Sequence, residues 1–249
     1  MIEPLASVGP SRRRLAPETR REAILDAAQA LFDQKGWDAV TVADILDASG
    51  LSKGGFYHHF AAKEDVLEAL VGRMTRAVVA AAKATRDAAE GNALARLNAF
   101  VAGSGRWKAQ NAGQMRVAAE VMARPGNDLL FARLRVEAER AVRPVLREMI
   151  EAGIAEGTFD VPDADMAAEL ILALGEGRRV ALAKAMAAAR DDIATATETM
   201  MGRMRAEARA CDRLLGLPKC SVVMAEQRAI EAMLVGMTGT AVEREGDDG

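Results

Sequence analysis

Apolar residues recur along most of the chain at the three- and four-residue spacing that places them on one face of an α-helix. The first such face is formed by Ile24, Ala27, Ala28, Leu31 and Phe32. It stops at Gly36, a residue type that suits the left-handed conformation just past a helix end. Thr19 and Glu22 have the spacing of a capping box, which predicts that the first helix begins there.

A second helix is predicted within TVADILDASGLSKGGFYHHFAAKE, the stretch from Thr41 to Glu64. Its single face consists of Val42, Ile45, Leu46 and Ser49. Thr41 and Asp44 resemble a capping box at its start, and Gly50 breaks it at the other end. A short helix of this kind, followed at once by a tight turn, is the first half of a helix-turn-helix.

A third helix follows, with Ser52 as its predicted cap. Phe56 and Phe60 lie four residues apart and are expected to be buried, together with Trp37 and Val40, in the core of a three-helix unit. The helix then presents Lys53, Gly54, Tyr57 and His58 on its other faces. That outward set suits contact with DNA.

The rest of the chain continues the helical pattern. An apolar stripe from residue 64 to about 90 predicts a long helix, which Gly91 and Asn92 interrupt. Beyond it, Gly103, Gly105 and Gly113 are expected to loosen the chain around Trp107, and Pro144 to kink or break a helix over 129–152. Further helices are predicted as far as residue 237, and no run of alternating β-branched residues occurs, so the fold class is all-α.

Four segments follow from this pattern. Residues 1–16, which contain Arg12, Arg13 and Arg14, are predicted to be a flexible basic arm, either a solvated tail or an arm that reaches a DNA groove. Residues 17–63 form the predicted three-helix helix-turn-helix domain and residues 64–240 a larger helical domain. Residues 241–249 are a predicted disordered acidic tail.

Charge and composition disfavour several classes of function for this protein. A formal net charge of −3 argues against a protein that coats nucleic acid through bulk charge, so any DNA contact must be local. Two cysteines and no apolar run of 18 residues favour a protein of the reducing cytoplasm, without a membrane partner. The two histidines, His58 and His59, are adjacent, and no Cys/His cluster predicts a metal site or any other cofactor.

The stretch AILDAAQALFDQKGWDAVTVADILDASGLSKGGFYHHFAAKEDVLEAL, with its G-x-S-K-G-x-x-Y-x-H-F core, resembles the N-terminal DNA-binding domain of the TetR/AcrR family of transcriptional regulators. The resemblance covers residues 19–70. It implies a homodimer that binds a palindromic operator in double-stranded DNA. It also implies a second, divergent helical domain that binds a small-molecule effector and dimerises.

The resemblance assigns site residues by position: Thr41, Ser52, Lys53, Gly54, Gly55, Tyr57, His58, His59 and Lys63 are the DNA-binding candidates. Residues 52–55 open the recognition helix against the major groove, where the two glycines let the backbone approach DNA. The resemblance implies that Lys53 reads guanine or only holds a phosphate, that Tyr57 anchors a phosphate, and that His58 bonds a base edge or a phosphate. His59 either joins them or packs locally. Thr41, as cap and phosphate ligand together, and Lys63 are further anchors. Similar proteins often have Ser or Pro just before that lysine, where this chain has Ala61 and Ala62. The acids at 64 and 65, which are favourable in a first turn, are expected to substitute in part for the missing cap.

Methionines are concentrated beyond residue 100, where they suit an adaptable apolar cavity or, alternatively, simply fill core. Six ligand-binding candidates are taken from where this fold usually places its cavity: Phe100, Trp107, Met115 and Met122 as walls, with Glu120 and Arg178 as polar groups. A solvated or dimer-facing role is the alternative for Glu120 and Arg178.

The function predicted from these features is a ligand-responsive transcriptional regulator, foremost a repressor that a small, largely apolar effector releases from DNA. The alternative is a helical small-molecule-binding protein or enzyme with a vestigial DNA-binding domain. No nucleophile–base pair or phosphate-binding glycine loop supports an enzyme. An architectural DNA binder is a third reading, which the size of the C-terminal region disfavours.

Overall fold

A computed structural model describes residues 17–124 and 126–239, and every regular element in those ranges is helical. The first half comprises α1 Pro17–Lys35, α2 Val42–Ser49, α3 Lys53–Tyr57, α4 Lys63–Asp87, α5 Ala93–Gln110 and α6 Ala112–Ala123. The second half comprises α7 Asp128–Ala155, α8 Ala164–Leu174, a 3₁₀ turn Gly175–Gly177, α9 Arg178–Ala188, α10 Ile193–Leu214 and α11 Gln227–Thr238. The all-α fold class is therefore confirmed. The predicted basic arm and acidic tail lie outside the described residues.

Local signals placed several helix ends correctly. Gly36 and Gly50 adopt the left-handed conformation, with φ of 76° and 66°, directly after α1 and α2. A side chain would be strained in that conformation, which is why glycine ends both helices. Asp65 accepts hydrogen bonds from the amides of Ala61 and Ala62 at 2.9 and 3.1 Å, so an acid in the first turn of α4 supplies the cap that Ala62 lacks.

Other expectations about local structure were wrong. The first helix begins at Pro17, so Thr19 lies inside its first turn and does not cap it. Gly103 does not loosen the chain but lies within an unbroken α5, where a Cβ would stand 2.5 Å from Oγ1 of Thr85 in α4. Glycine is needed there for close helix packing. Pro144 lies within α7, which continues past it to Ala155, so of the two expected outcomes the break does not occur. The kink remains a prediction.

The buried residues form three clusters. The N-terminal core combines residues of α1 to α4, such as Phe32, Ile45 and Phe56, with Val117, Ala118 and Val121 of α6. The central core packs α4 and α5 against α7, α8 and α10, and includes Phe100 and Ile150. The methionine core joins α6, α9, α10 and α11 and contains Met200, Met201, Met204, Met233 and Met237.

Helix α6 belongs to two of these clusters. One side supplies Val117, Ala118 and Val121 to the N-terminal core, and the other supplies Ala112 and Ala119 to the methionine core. The three-helix unit is thus packed onto the rest of the chain rather than joined to it by α4 alone. Within the described ranges, no helix has both the length and the hydropathy that a bilayer crossing requires.

Candidate nucleic-acid interface

Reciprocal hydrogen bonds fix the start of α2. Oγ1 of Thr41 accepts from the amide of Asp44 at 3.2 Å, and the Asp44 carboxylate accepts from the Thr41 amide at 2.8 Å and from the Thr41 hydroxyl at 2.6 Å. These bonds, with Lys35 at 3.1 Å, hold the pKa of Asp44 well below its usual range. The predicted capping box is present. Because Asp44 accepts the hydroxyl proton of Thr41, a phosphate contact by that hydroxyl requires the proton to change partner.

The turn after Gly50 leads into α3 through a second cap. Oγ of Ser52 accepts from the amide of Gly55 at 3.2 Å, and Phe56 and Phe60 are 0% and 5% exposed. Burial of these two rings orients the helix, because the residues between them must then face outward. A Cβ at Gly54 would meet nothing within 4 Å, whereas one at Gly55 would lie 3.4 Å from Oγ of Ser52. Gly54 is therefore the glycine that leaves open space beside the helix.

Lys53, Gly54, Tyr57 and His58 are all exposed and constitute the α3 surface. Tyr57 is 49% exposed, and its ring stands edge-on to Phe56 with centroids 5.4 Å apart. The ring is thus held by the core while its hydroxyl forms no hydrogen bond within the described part of the chain. Nζ of Lys53 lies 6.0 Å from the Tyr57 ring centroid. A cation and a free phenolic donor side by side match the chemistry of a phosphate oxygen.

His59 differs from the four residues of the α3 surface because it is half-buried. Its ring packs against His58 and Phe60, with centroids 5.0 and 6.4 Å away. Burial lowers the pKa of His59, and the nearby charges of His58, Arg20 and Arg21 lower it further. This position fits the local packing that was the alternative to a DNA contact.

Hydrogen bonds hold the ammonium group of Lys63 within the three-helix unit. Its Nζ donates hydrogen bonds to the carbonyls of Trp37 and Val40, both at 2.8 Å, and lies 4.3 Å from the Trp37 ring centroid. Two of its three protons are therefore engaged, and one remains for a phosphate. Lys63 ties the start of α4 to the segment before α2, a structural role that the sequence did not predict.

The six ligand-binding candidates are spread over the three cores. Phe100 lies in the central core, Met115 packs on the methionine core and Met122 packs on the N-terminal core. Trp107 is half-buried in α5, Glu120 lies 3.6 Å from Arg116, and Arg178 bonds Glu207 at 2.5 Å. These six assignments remain predictions.

Two cavities occur elsewhere and contain none of these six residues. The larger, about 570 Å³, is an apolar groove between α8 and α10 lined by Leu170, Ala173, Leu174, Arg203, Ala210, Arg213 and Leu214. The smaller, about 230 Å³, lies among α4, α5 and α7 and is lined in part by Arg86, Arg96 and Glu148.

The interface geometry has a counterpart in known proteins. Residues 24–70 match the family of bacterial regulatory proteins described as the tetR family. Residues 90–177 match the tetracyclin repressor-like C-terminal domain, and the two matches together cover more than half of the chain. The chain belongs to the TetR family. Helices α9 to α11 follow the last matched residue.

Individual TetR-family proteins are similar in sequence to this chain over a limited stretch. The chain is 43% identical over 53 residues to the HTH-type transcriptional repressor KstR2 of Mycobacterium tuberculosis (strain CDC 1551 / Oshkosh), which is 21% of this chain and 26% of that protein. It therefore spans about a quarter of the length of the curated relatives that it matches first.

Solved structures extend the likeness of the fold to most of the chain. A TetR-family regulator from Syntrophomonas wolfei superposes with a TM-score of 0.56 at 21% identity, covering 79% of this chain and 96% of that one. RolR in complex with resorcinol superposes with a TM-score of 0.54 at 21% identity, covering 86% and 95%. At these identities the comparison establishes a shared fold.

Proposed function

We propose that this TetR-family chain is a ligand-responsive regulator of transcription, which represses by binding a palindromic operator as a homodimer and is released by a small effector. The observation that carries the proposal is the α3 surface, Lys53, Gly54, Tyr57 and His58, displayed on a helix whose other face is buried. Such a helix enters a major groove with its side chains already oriented.

Each residue of the α3 surface has a distinct proposed role. Lys53 and the Tyr57 hydroxyl hold phosphate oxygens and set the register on DNA, and His58 reads a base edge. Gly54 leaves the space that the sugar–phosphate backbone needs. Ser52 and Thr41 act first as caps, which hold the helices at the angle these contacts require.

Homodimerisation is supported by an exposed apolar strip on α8. Met166 and Leu170, one helical turn apart, are 56% and 43% exposed, and Leu170 also lines the apolar groove between α8 and α10. An apolar surface of this kind is a common site of association. A second copy of the chain covering it would place two recognition helices at the two half-sites of a palindrome, about 34 Å apart.

Effector release is supported by connections to the three-helix unit from α6 and from the residue that directly follows it. Arg116 donates to the carbonyl of Asp33 at 2.9 Å, and Arg124 to the carboxylate of Asp38 at 2.8 Å. An effector that moves α6 within the methionine core would carry these contacts with it and shift the three-helix unit. The two recognition helices would then no longer fit successive major grooves.

The names of similar proteins agree with this proposal at the level of class. KstR2 is named as a repressor, and RolR was solved with resorcinol as its ligand. Those properties belong to those proteins. They make repression and a small effector reasonable for a chain with the same fold.

The test is a footprint of the purified full chain on the DNA upstream of its own gene. We expect protection of two half-sites related by two-fold symmetry, lost in the double variant Lys53→Ala/Tyr57→Phe. This variant removes an ammonium and a hydroxyl that bond no described residue, and it keeps the ring that packs on Phe56. The matched control is Lys184→Ala, which removes an exposed cation from α9. Absence of protection, or protection without symmetry, would contradict the proposal.

A further inference from the structure

Helix α11 meets the start of α6 at a contact that has no space for a further atom. Gly236 of α11 faces Ala112, the first residue of α6, and a Cβ at position 236 would stand 2.6 Å from the Cβ of Ala112. Because the Cβ of Ala112 is fixed to the helix backbone, a side chain at position 236 would have to displace one of the two helices. The next nearest atoms, the Cα of Ala112 and the amide nitrogen of Gly113, would both be 3.7 Å away, which is an ordinary contact distance.

The glycine at position 236 has no explanation within α11 itself. It lies inside the helix, and its φ is not among the positive values of the described glycines. At such a position alanine would stabilise the helix by about 0.5 to 1 kcal/mol relative to glycine. The close approach of α6 is therefore the physical reason for a glycine here.

The methionine core holds α11 in place along its length. Ile230, Met233, Leu234 and Met237 are all buried in that core. Their three- and four-residue spacing places them on one face of the helix. A helix seated on four buried side chains is a firm support for the residue that contacts it, which here is Ala112.

The linker of residues 215–226 fixes the beginning of α11. The carboxylate of Asp212 in α10, which is 2% exposed, accepts hydrogen bonds from two linker amides, both at 2.8 Å. Asn98 of α5 donates to the carbonyl of Ser221 at 2.9 Å and accepts from the amide of Val223 at 3.0 Å. Helix α11 is therefore tied to α5 and to α10 before it reaches α6.

The other contacts of α6 lead to the three-helix unit. Arg116, one turn after Ala112, donates to the carbonyl of Asp33 in α1 at 2.9 Å. Val117 and Val121 are buried in the N-terminal core. Because a helix transmits a displacement along its axis as a rigid element, a shift of its first turn reaches these contacts.

We propose that Gly236 and Ala112 are positioning residues for operator binding: their contact sets the position of α6 and, through α6, the orientation of the three-helix unit that carries the α3 surface. The inference rests on the proposed function and adds to it the residues that fix the DNA-binding position. It gives α11, which follows the last residue of the C-terminal family match, a role in regulation.

The first experiment measures operator binding by the full chain and by Gly236→Ala. Each protein is titrated with the footprinted duplex and with the same duplex carrying one extra base pair between the half-sites, and the active fraction is fixed by stoichiometric titration. We expect Gly236→Ala to bind the natural duplex about fivefold more weakly and to discriminate less between the two duplexes. A variant that is only less stable keeps the same discrimination, and that result overturns the inference.

A compensating variant assigns the effect to the contact. In Ala112→Gly/Gly236→Ala the Cβ moves from one helix to the other, and its nearest atoms are then the ones at 3.7 Å. Affinity and discrimination should return to within about twofold of the unaltered protein. Gly113→Ala is the matched control, because a Cβ there would lie 4.0 Å from the carbonyl oxygen of Gly236, and it should change neither quantity. Absence of recovery in the double variant overturns the inference.

Amide hydrogen exchange of the free protein tests the same contact without DNA. Gly236→Ala should increase exchange in α6 and in the segment around Asp33, while α8 in the central core stays protected. An equal increase in every helix would indicate global destabilisation and would overturn the inference.

The two proposals can fail separately. A symmetric footprint that Gly236→Ala leaves unaltered in strength and in spacing retains the regulator and removes the positioning role. If the unaltered protein gives no footprint, the regulator is removed, and the exchange result alone decides whether the contact positions α6 against the three-helix unit.

Discussion

Arg133 of α7 donates a hydrogen bond across 2.8 Å to Asp65, the residue that caps α4. The other oxygen of that carboxylate accepts the amides of Ala61 and Ala62. The bond from Arg133 is the largest cause of a lowered pKa at Asp65, and the two amides lower it further. One carboxylate thus joins the three-helix unit to the larger helical region.

Replacing Asp65 should cost more than replacing Arg133. Asp65→Ala removes a cap and an ion pair together and should lower the free energy of unfolding by about 1 to 2 kcal/mol. Arg133→Ala removes two partly exposed ion pairs, with Asp65 and with Glu68, but no cap, and should cost less than about 1 kcal/mol. Urea denaturation measures both losses of stability, with Arg140→Ala, in an exposed ion pair, as the control. Equal losses of stability in the two variants would show that Asp65 does not act as a cap.

The stability that Asp65 contributes should also depend on pH. Because the folded pKa of Asp65 is lowered, its contribution is present above the ordinary value of 3.8 and is lost as pH falls through the folded pKa.

Lys53→Ala should weaken DNA binding without affecting stability. The side chain is exposed and makes no hydrogen bond in the described structure, so the melting temperature should stay unchanged. If Lys53 neutralises a phosphate, the slope of log affinity against log salt should decrease by about 0.9. Binding to a fluorescent operator duplex at several salt concentrations measures the slope, with Lys184→Ala as the matched lysine control. An unchanged slope would remove Lys53 from the phosphate contacts.

Lys63→Ala should behave differently because its ammonium bonds two carbonyls. Loss of two charge-assisted hydrogen bonds should reduce the free energy of unfolding by about 2 kcal/mol. Lys63→Met retains the stem over Trp37 and loses the same bonds, so comparing the two separates packing from hydrogen bonding. Thermal melting of both variants beside Lys53→Ala is the measurement. Melting temperatures equal to that of the unaltered protein would show that these bonds contribute nothing.

Leu170→Glu should convert the proposed dimer to a monomer. A carboxylate on the apolar strip of α8 would be buried without a partner in any interface that covers Leu170. Light scattering after size-exclusion chromatography should show the mass halved. Leu129→Glu, at a leucine that is 79% exposed on α7, controls for added surface charge. If the Leu170→Glu variant remains a dimer, the interface does not include Leu170.

Lys108→Met should stabilise the protein at neutral pH. The folded pKa of Lys108 is about 8 and its ordinary value is 10.5, so the unfolded chain binds more protons between these values. The charged lysine therefore costs stability below pH 8, and the cost vanishes as pH rises to 10.5. We expect Lys108→Met to gain up to about 3 kcal/mol at pH 7 and nothing above pH 10.5. Denaturant titrations at both pH values test this. A gain that does not change with pH would point to packing instead of charge.

The accuracy of prediction from sequence followed the range of the interactions. The caps by Thr41 and Ser52 bond residues three positions away, so the local pattern contained both partners. The carbonyl partners of Lys63 lie 23 and 26 residues back, and no local pattern encodes them. Gly103 shows the same limit, because the reason for the glycine is Thr85 on a neighbouring helix.

The ligand-binding candidates illustrate a further limit. Phe100, Met115 and Met122 were selected by their place in a related fold, and each lies in a different core. Arg178, chosen only as a polar group, forms an ion pair with the buried carboxylate of Glu207 on α10. A partner on another helix is fixed only when the helices are assembled, so the local pattern around Arg178 does not indicate it.

Because α6 completes the N-terminal core, the chain should unfold in one cooperative transition. Cutting the chain after α4 would take Val117, Ala118 and Val121 away from the residues they cover, and the isolated fragment with helices α1 to α4 should melt well below the intact protein. The melting temperature of helices α1 to α4 therefore depends in part on residues of α6, which contact no DNA. Substitutions in the methionine core that loosen α6 are then expected to reduce operator occupancy through the amount of folded protein, without altering a single contact to a base.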